Sequence, residues 1–322
     1  MKRNVSIIGL GKRGSSIGLA LSQKDHYHVV GNDIDSAMAK EASRRGAVHQ
    51  TQWNLKKLVE DADIIALALP LNQVQETLSL ISPVLPQDCV VIDTTVIKEV
   101  GRQWAEDHLT AGANYVGVFL SINPQYAQDM TQGVAGARAD MFLDGNCCVV
   151  PAAACSTGAI SKAIRLVEDL GSTSYFMDPV EFDGLSTAVN TVPALLVSAF
   201  IERVSSSPSW REMRRLSTDH LLHFSHPLAL TPDAVALAAV EKRETVQYWI
   251  QQMMEELDSL SHSLQNEDVE GIASMVNSAT DTRSLWLADW KLNLWEQTAE
   301  AELPKREGWL SRMLGVKWPR AR

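Results

Sequence analysis

The sequence predicts an α/β domain with a doubly wound parallel sheet, followed by an all-α helical domain. Three observations predict it. Short apolar runs alternate with helical patterns over about the first 178 residues, a G-x-G-x-x-G turn joins the first strand to the first helix, and strand patterns cease after Asp178. Strands that alternate with helices pair in parallel, because each helix returns the chain to the same end of the sheet.

Taken in order, the strand candidates are Val5–Gly9, His28–Asn32, Ile64–Leu69, Val90–Asp93, Tyr115–Phe119, Cys147–Val150 and Ser174–Met177. Each is a continuous apolar run, the pattern of a strand covered on both faces. Helical patterns such as Ser15–Ser22, Ala37–Arg45 and Asn72–Ile81 lie between them. Farther on, Leu185, Val189, Val192, Leu196 and Phe200 step by three or four and make one apolar helix face, with Pro193 as a kink. Val246, Ile250, Met253, Leu257, Leu260 and Leu264 alternate steps of four and three, close to a coiled-coil seam. Such a seam serves either intradomain packing or a homodimer interface, and both uses stay open. The expected domains are residues 1–178, 179–302 and a basic amphipathic tail, 303–322. That tail sets Lys305, Arg306, Arg312 and Lys317 among Trp309, Leu310, Leu314 and Trp318. It reads as a loose or self-docking terminus, or as a contact with a surface or partner.

The net charge of −10 excludes DNA or RNA as a main partner, since phosphate binding needs a basic face. No apolar run approaches the ~18 residues of a membrane span. Met1-Lys2-Arg3-Asn4 runs directly into a strand and leaves no room for a signal peptide, so a cytoplasmic protein is expected. The four cysteines (Cys89, Cys147, Cys148 and Cys155) are too few for a disulfide framework and read as buried thiols. Cys147 and Cys148 are strand neighbours facing opposite ways, which argues against a shared metal. His220, His223 and His226 recur every third residue, but Pro227 ends any helix there, and no metal site is expected.

The run Val5-Ser6-Ile7-Ile8-Gly9-Leu10-Gly11-Lys12-Arg13-Gly14 is strand, glycine turn and helix start, the context a dinucleotide fingerprint requires. Gly9 permits the tight turn, Gly11 lets the backbone approach a pyrophosphate, and Gly14 lets the helix pack closely. The helix N-terminus offers free N–H groups and a positive dipole end. Asp33, 19 residues after Gly14, ends the second strand and is placed to take the adenosine ribose hydroxyls. It would repel a 2′-phosphate, so NAD is favoured over NADP, although Lys12 and Arg13 could offer charge to a phosphate. These are the marks of a Rossmann domain.

Set in order, the motifs from Val5 to about Glu256 resemble the prephenate and arogenate dehydrogenase family. Asp61-Ala62-Asp63-Ile64-Ile65-Ala66-Leu67-Ala68-Leu69-Pro70 resembles that family's fourth strand, which the resemblance places beside the nicotinamide ribose. Asp93-Thr94-Thr95-Val96-Ile97-Lys98 is similar to its D-x-x-S-x-K motif, and Trp210-Arg211-Glu212-Met213-Arg214-Arg215-Leu216 to its F-R-D-M-T-R-I segment. The resemblance implies an NAD-dependent oxidoreductase of tyrosine biosynthesis, dimeric through its helical domain, with Arg215 holding a substrate carboxylate. The sequence departs from the family where the chemistry should sit. Leu120-Ser121-Ile122-Asn123-Pro124 replaces G-G-H-P, so Asn123 stands for the histidine, and Val96 stands for the serine. Asn190-Thr191-Val192-Pro193-Ala194 replaces S-H-L-P-H. An amide is no general base near neutral pH. The expected pocket therefore holds Asn123, Asn190 and Lys98 as catalytic candidates and Arg215 and Ser121 against the substrate. Gly9, Gly11, Lys12, Arg13, Gly14, Asp33, Leu69, Pro70 and Thr94 are expected around the cofactor. Two other readings stay open: a catalytically silent NAD-binding sensor, and an NAD(P)H-dependent reductase of an imine or ketone.

Overall fold

The computed structural model describes residues 2–109, 113–293 and 295. One sheet is built from β1 (Arg3–Ile8), β2 (Tyr27–Asn32), β3 (Gln50–Thr51), β4 (Ile64–Leu67), β5 (Val90–Asp93), β6 (Asn114–Leu120), β7 (Asn146–Pro151) and β8 (Thr173–Phe176). Their order is β3-β2-β1-β4-β5-β6-β7-β8. Every pair is parallel except β6 with β7, which is antiparallel. The exception has a physical reason. A parallel connection needs a crossover element, and the stretch 121–145 holds only two short 3₁₀ turns, Pro124–Tyr126 and Val134–Gly136. β3 was not expected: its two residues are exposed and carry no apolar run.

Helices cover both faces. They are α1 (Lys12–Ser22), α2 (Ser36–Arg44), α3 (Leu55–Val59), α4 (Val74–Ile81), α5 (Glu99–His108) and α6 (Thr157–Asp169). Val5, Ile7, Ile64, Ile92, Val118 and Cys147 pack on one face with Ile17 of α1 and Leu166 of α6. Ile8, Ile65, Leu67 and Val91 pack on the other with Leu58 of α3 and Leu78 of α4. Alternate residues of one strand thus enter different cores, which is why these strands read as unbroken apolar runs. Cys147 and Cys148 obey the same alternation and lie in separate clusters. Burial raises both thiols, Cys148 to about 11, which keeps them protonated and unreactive.

The switch to helix falls where the sequence changes. α7 (Pro179–Ser186) follows β8 directly, then a π turn (Thr187–Thr191), α8 (Val192–Ser205), α9 (Trp210–Leu216), α10 (Asp219–Phe224), α11 (Pro232–Glu241) and α12 (Arg243–Gln265). The distortion expected at Pro193 is the π turn just before it, which absorbs the irregularity and lets the helix continue. The continuous run Pro179–Ser205 is long and apolar enough to cross a membrane by length and composition, contrary to the expectation of no such run. Its inner face is occupied by protein: Asp183, Ser186, Thr187 and Thr191 are buried along with Phe182 and Val197. Polar groups buried in this way mark a helix packed in a fold.

By internal contacts the chain divides into Met1–His262 and a second unit beginning at Ser263. The second holds α13 (Val269–Leu292), capped by the Asp268 carboxylate and carrying a stacked Trp286–Trp290 pair. The basic tail expected at 303–322 lies outside the described residues.

Candidate dinucleotide and substrate site

The parallel strands β1, β2, β4, β5 and β6 end along one edge of the sheet, and the chain changes direction between β1 and β4. Ligands of doubly wound sheets bind in the crevice that such a switch point opens. Gly9, Asp33, Leu69 and Pro70, Thr94, and Ser121 with Asn123 follow β1, β2, β4, β5 and β6 in turn, so topology places all of them on this edge.

The glycine turn has the shape expected. Gly9 has φ +92°, and a side chain there would meet the Ala68 carbonyl across the crevice at 2.4 Å. A Cβ on Gly14 would fall 1.9 Å from the Gly9 carbonyl oxygen, so helix and turn touch. A Cβ on Gly11 would meet nothing within 4 Å beyond its chain neighbours and its own helix. That open space sits at the N-cap of α1, where no side chain caps the helix. The amides of Lys12, Arg13 and Gly14 precede the first intrahelical bond, from Ser15 N to the Gly11 carbonyl. Open space and unclaimed N–H groups at a helix N-terminus suit a pyrophosphate. Asp33 sits beside them: one carboxylate oxygen accepts from Leu10 N (2.7 Å) and the other from Asp35 N (2.8 Å). These residues fit a dinucleotide.

Lys12 and Arg13 part company. The Lys12 ammonium donates to the Asp129 carbonyl (2.6 Å) and lies 4.0 Å from that residue's carboxylate, which Arg138 also reaches. Arg138 in turn donates its backbone N–H to Ser16 Oγ of α1. The β6–β7 connection is thereby tied to α1. The Arg13 guanidinium instead crosses to the end of β6, donating to the Leu120 carbonyl (3.3 Å) and lying 5.9 Å from the Phe119 ring centroid.

The D-x-x-S-x-K-like segment turns out to be a buried polar knot. Asp93 is fully buried, and its carboxylate accepts from Thr95 N, Thr95 Oγ1 and the Tyr115 hydroxyl. Lys98, 1% exposed, donates to the carbonyls of Asp93, Thr95 and Val118 and lies 3.7 Å from the Asp93 carboxylate. Burial lowers its pKa, against the pull of Asp93 and Asp183. All three ammonium protons therefore have acceptors inside the protein, which join the end of β5, the β5–α5 loop and β6. Thr94 Oγ1 bonds the Leu67 carbonyl and locks β5 to β4.

Sequence reading missed Asp183. This carboxylate, fully buried on α7, accepts from Lys98 N (2.6 Å) and Glu99 N (3.1 Å), capping α5 from another element. It also holds Lys242, which lies between α11 and α12, at 2.8 Å, and Lys242 pairs with Glu99 as well. Burial pulls the Lys242 pKa down, but the two carboxylates outweigh it and leave it raised. The available signal was a polar stripe at helical spacing, Asp183, Ser186, Thr187 and Thr191, inside an otherwise apolar segment. Ser186 Oγ donates to the Val96 carbonyl (2.6 Å), so the central helix is anchored to the β5–α5 loop. Asn190, one turn on in the π turn, donates to the Ser186 carbonyl and hydroxyl. Asn123 Oδ1 caps the following turn by accepting from Gln125 N. Arg215 is exposed on α9. No hydrogen bond joins Asn123, Asn190 and Arg215 to one another among the described residues.

Residues 17–176 match the family model described as prephenate dehydrogenase, nucleotide-binding domain. The chain's dinucleotide domain belongs to the prephenate dehydrogenase family. The match begins inside α1, so the glycine turn upstream of it stands on its own geometry. Several solved structures share the fold. Prephenate dehydrogenase from A. aeolicus, in complex with hydroxyphenyl propionate and NAD+, is 20% identical with a TM-score of 0.74, covering 88% of this chain and 98% of its own. A second structure of the Aquifex aeolicus enzyme is 20% identical with a TM-score of 0.69 and covers 87% and 98%. Synechocystis arogenate dehydrogenase is 18% identical with a TM-score of 0.66 and covers 88% and 99%. No curated protein matches the chain.

Proposed function

We propose that the chain is an NAD-dependent oxidoreductase of the prephenate or arogenate dehydrogenase type, acting on a small carboxylate substrate. The observation that carries this reading is the open crevice at Gly11, flanked by the free N-terminus of α1 and the Asp33 carboxylate. The N–H groups of Gly11 through Gly14 would hold the pyrophosphate. Asp33 would exchange its bond to Leu10 N for the adenosine ribose hydroxyls and disfavour a 2′-phosphate, and Leu69, Pro70 and Thr94 would flank the nicotinamide ribose. The bound nicotinamide supplies hydride acceptance or donation. Ser121, Asn123 and Asn190 would orient the substrate by hydrogen bonds, and Arg215 would offer charge to a carboxylate. The chain's fit to NAD rests on its own turn, acid and helix end.

A second reading is favoured by the amides of Asn123 and Asn190, which cannot remove a proton from a hydroxyl at neutral pH. Reduction of an imine or ketone needs no such base, since hydride addition itself creates the basic atom. Isothermal titration with NAD, NADH and NADPH, followed by prephenate titrated into the NAD complex, tests both readings. Binding of NAD followed by NADH production from prephenate supports the first. NADH oxidation with a ketone or imine, and none in the other direction, replaces it with the second.

A further inference from the structure

Five cations lie along or behind the ligand edge of the sheet: Lys12, Arg13, Lys98, Arg138 and Lys242. Four have carboxylate partners. Lys12 and Arg138 share Asp129, Lys98 has Asp93, and Lys242 has Asp183 and Glu99. Arg13 alone has none among the described residues. Its contacts are one carbonyl, Leu120 O at 3.3 Å, and the face of Phe119. A guanidinium carries five N–H donors in a planar fork, and one carbonyl at that distance leaves most of them unused.

The side chain is half-buried, and none of its nitrogens is both buried and without a hydrogen-bond partner, so the unused donors stay open to an incoming anion. Phe119 continues into Phe182, with ring centroids 5.7 Å apart. Burial lowers the Arg13 pKa. A partly desolvated cation of this kind persists where an anion completes it. The backbone N–H of Arg13 belongs to the helix N-terminus, while its side chain lies at Leu120, the residue immediately before Ser121 and three before Asn123.

We infer that Arg13 is the anion receptor at the β6 end of the crevice and takes the carboxylate of the substrate in a bidentate pair. The inference rests on the nicotinamide-dependent reading above and adds a residue to it. Carboxylate fits better than a cofactor phosphate, because the side chain leaves the glycine turn for the strand end beyond it. The planar fork matches a carboxylate and distinguishes Arg from Lys at such a site.

The test is a titration of wild type, Arg13→Gln and Arg13→Lys. NAD is titrated first, then hydroxyphenyl propionate, its uncharged amide and prephenate are titrated into the NAD-saturated protein. Wild type should bind both carboxylates more tightly than the amide. Arg13→Gln should bind them roughly 10- to 100-fold more weakly, with the amide and NAD little changed. Arg13→Lys should fall between, and it decides the matter should Arg13→Gln not fold. Carboxylate affinity that is equal in all three proteins overturns the inference. So does a loss confined to NAD, which would assign Arg13 to the cofactor phosphates, and so does wild type that binds NAD but neither carboxylate. Failure of wild type to bind NAD at all would instead overturn the underlying reading.

Discussion

At the scale of single residues, Gly11 and Gly14 are three positions apart and differ in what a methyl group would meet. A Cβ on Gly11 enters empty space, and its extended backbone suits any residue. A Cβ on Gly14 meets backbone at 1.9 Å. Gly11→Ala should therefore leave the melting temperature unchanged and weaken NAD binding, because the methyl occupies the pyrophosphate's approach. Gly14→Ala should destabilise the fold by about 1–3 kcal/mol, the cost of overpacking a site that cannot open. Thermal unfolding of both variants beside NAD titration checks this, and identical behaviour of the two would refute the division of roles. Tyr27 gives a second residue-level expectation. It is buried, and its hydroxyl donates to the Asp169 carboxylate at 2.8 Å. Burial first, then that carboxylate, pushes its pKa up to about 12 from 10.0. Between those values the unfolded chain loses the proton while the folded protein keeps it, so stability falls as pH rises through this window. Tyr27→Phe removes the titration. Its stability, compared by urea unfolding at pH 9 and pH 11.5, should fall by less than that of wild type over the same interval.

At the scale of elements, β5, the loop after it and α5 form a unit whose interior is charged. Lys98 supplies three carbonyl bonds and an ion pair to Asp93, and Asp183 caps α5 from α7. Removing one partner of a buried pair leaves the other uncompensated, typically at a cost of about 3–5 kcal/mol. Lys98→Met should lower stability by that order in urea unfolding, while NAD affinity measured on the protein that remains folded stays near wild type. Unchanged stability with lost turnover would return Lys98 to the chemistry. This unit also shows what the sequence could reveal. The seven expected strands were legible to within a few residues: β4, β5 and most of β1, β6 and β7 are buried on both faces and must be apolar there, whereas β8 is largely exposed at the end of the sheet and keeps only Tyr175 and Phe176 as apolar signal. The glycine turn and Asp33 were legible because their spacing is forced by the turn. The direction of β7 was not, since it depends on what the β6–β7 connection lacks. Nor was the role of Asp183, because its bond to Lys98 N joins residues 85 apart in the chain. Motif position made Lys98 a catalytic candidate, and only the fold shows its ammonium on the carbonyls of Asp93, Thr95 and Val118.

At the scale of the whole molecule, the apolar seam foreseen along α12 is formed as a helix but is not used up by packing within Met1–His262. Val246 is buried, whereas Ile250 is 36% and Leu257 61% exposed. A row of apolar side chains spaced by four and three, left in water over several turns, is the pattern of an interhelical interface. The homodimer that the family resemblance implies would cover it. Association of this kind stabilises the folded chain by mass action, so the melting temperature should rise with protein concentration. Sedimentation equilibrium should give a dimer for wild type, and Ile250→Glu with Leu257→Glu should give a monomer, since two buried and unpaired carboxylates at one seam oppose contact. The double variant should also lose the concentration dependence of melting. NAD binding should survive in it, because the glycine turn, Asp33 and the α1 terminus lie within the nucleotide-binding domain of one chain. A wild type that stays monomeric at high concentration would leave the seam as ordinary exposed surface and overturn the expected dimer, with the dinucleotide site unaffected.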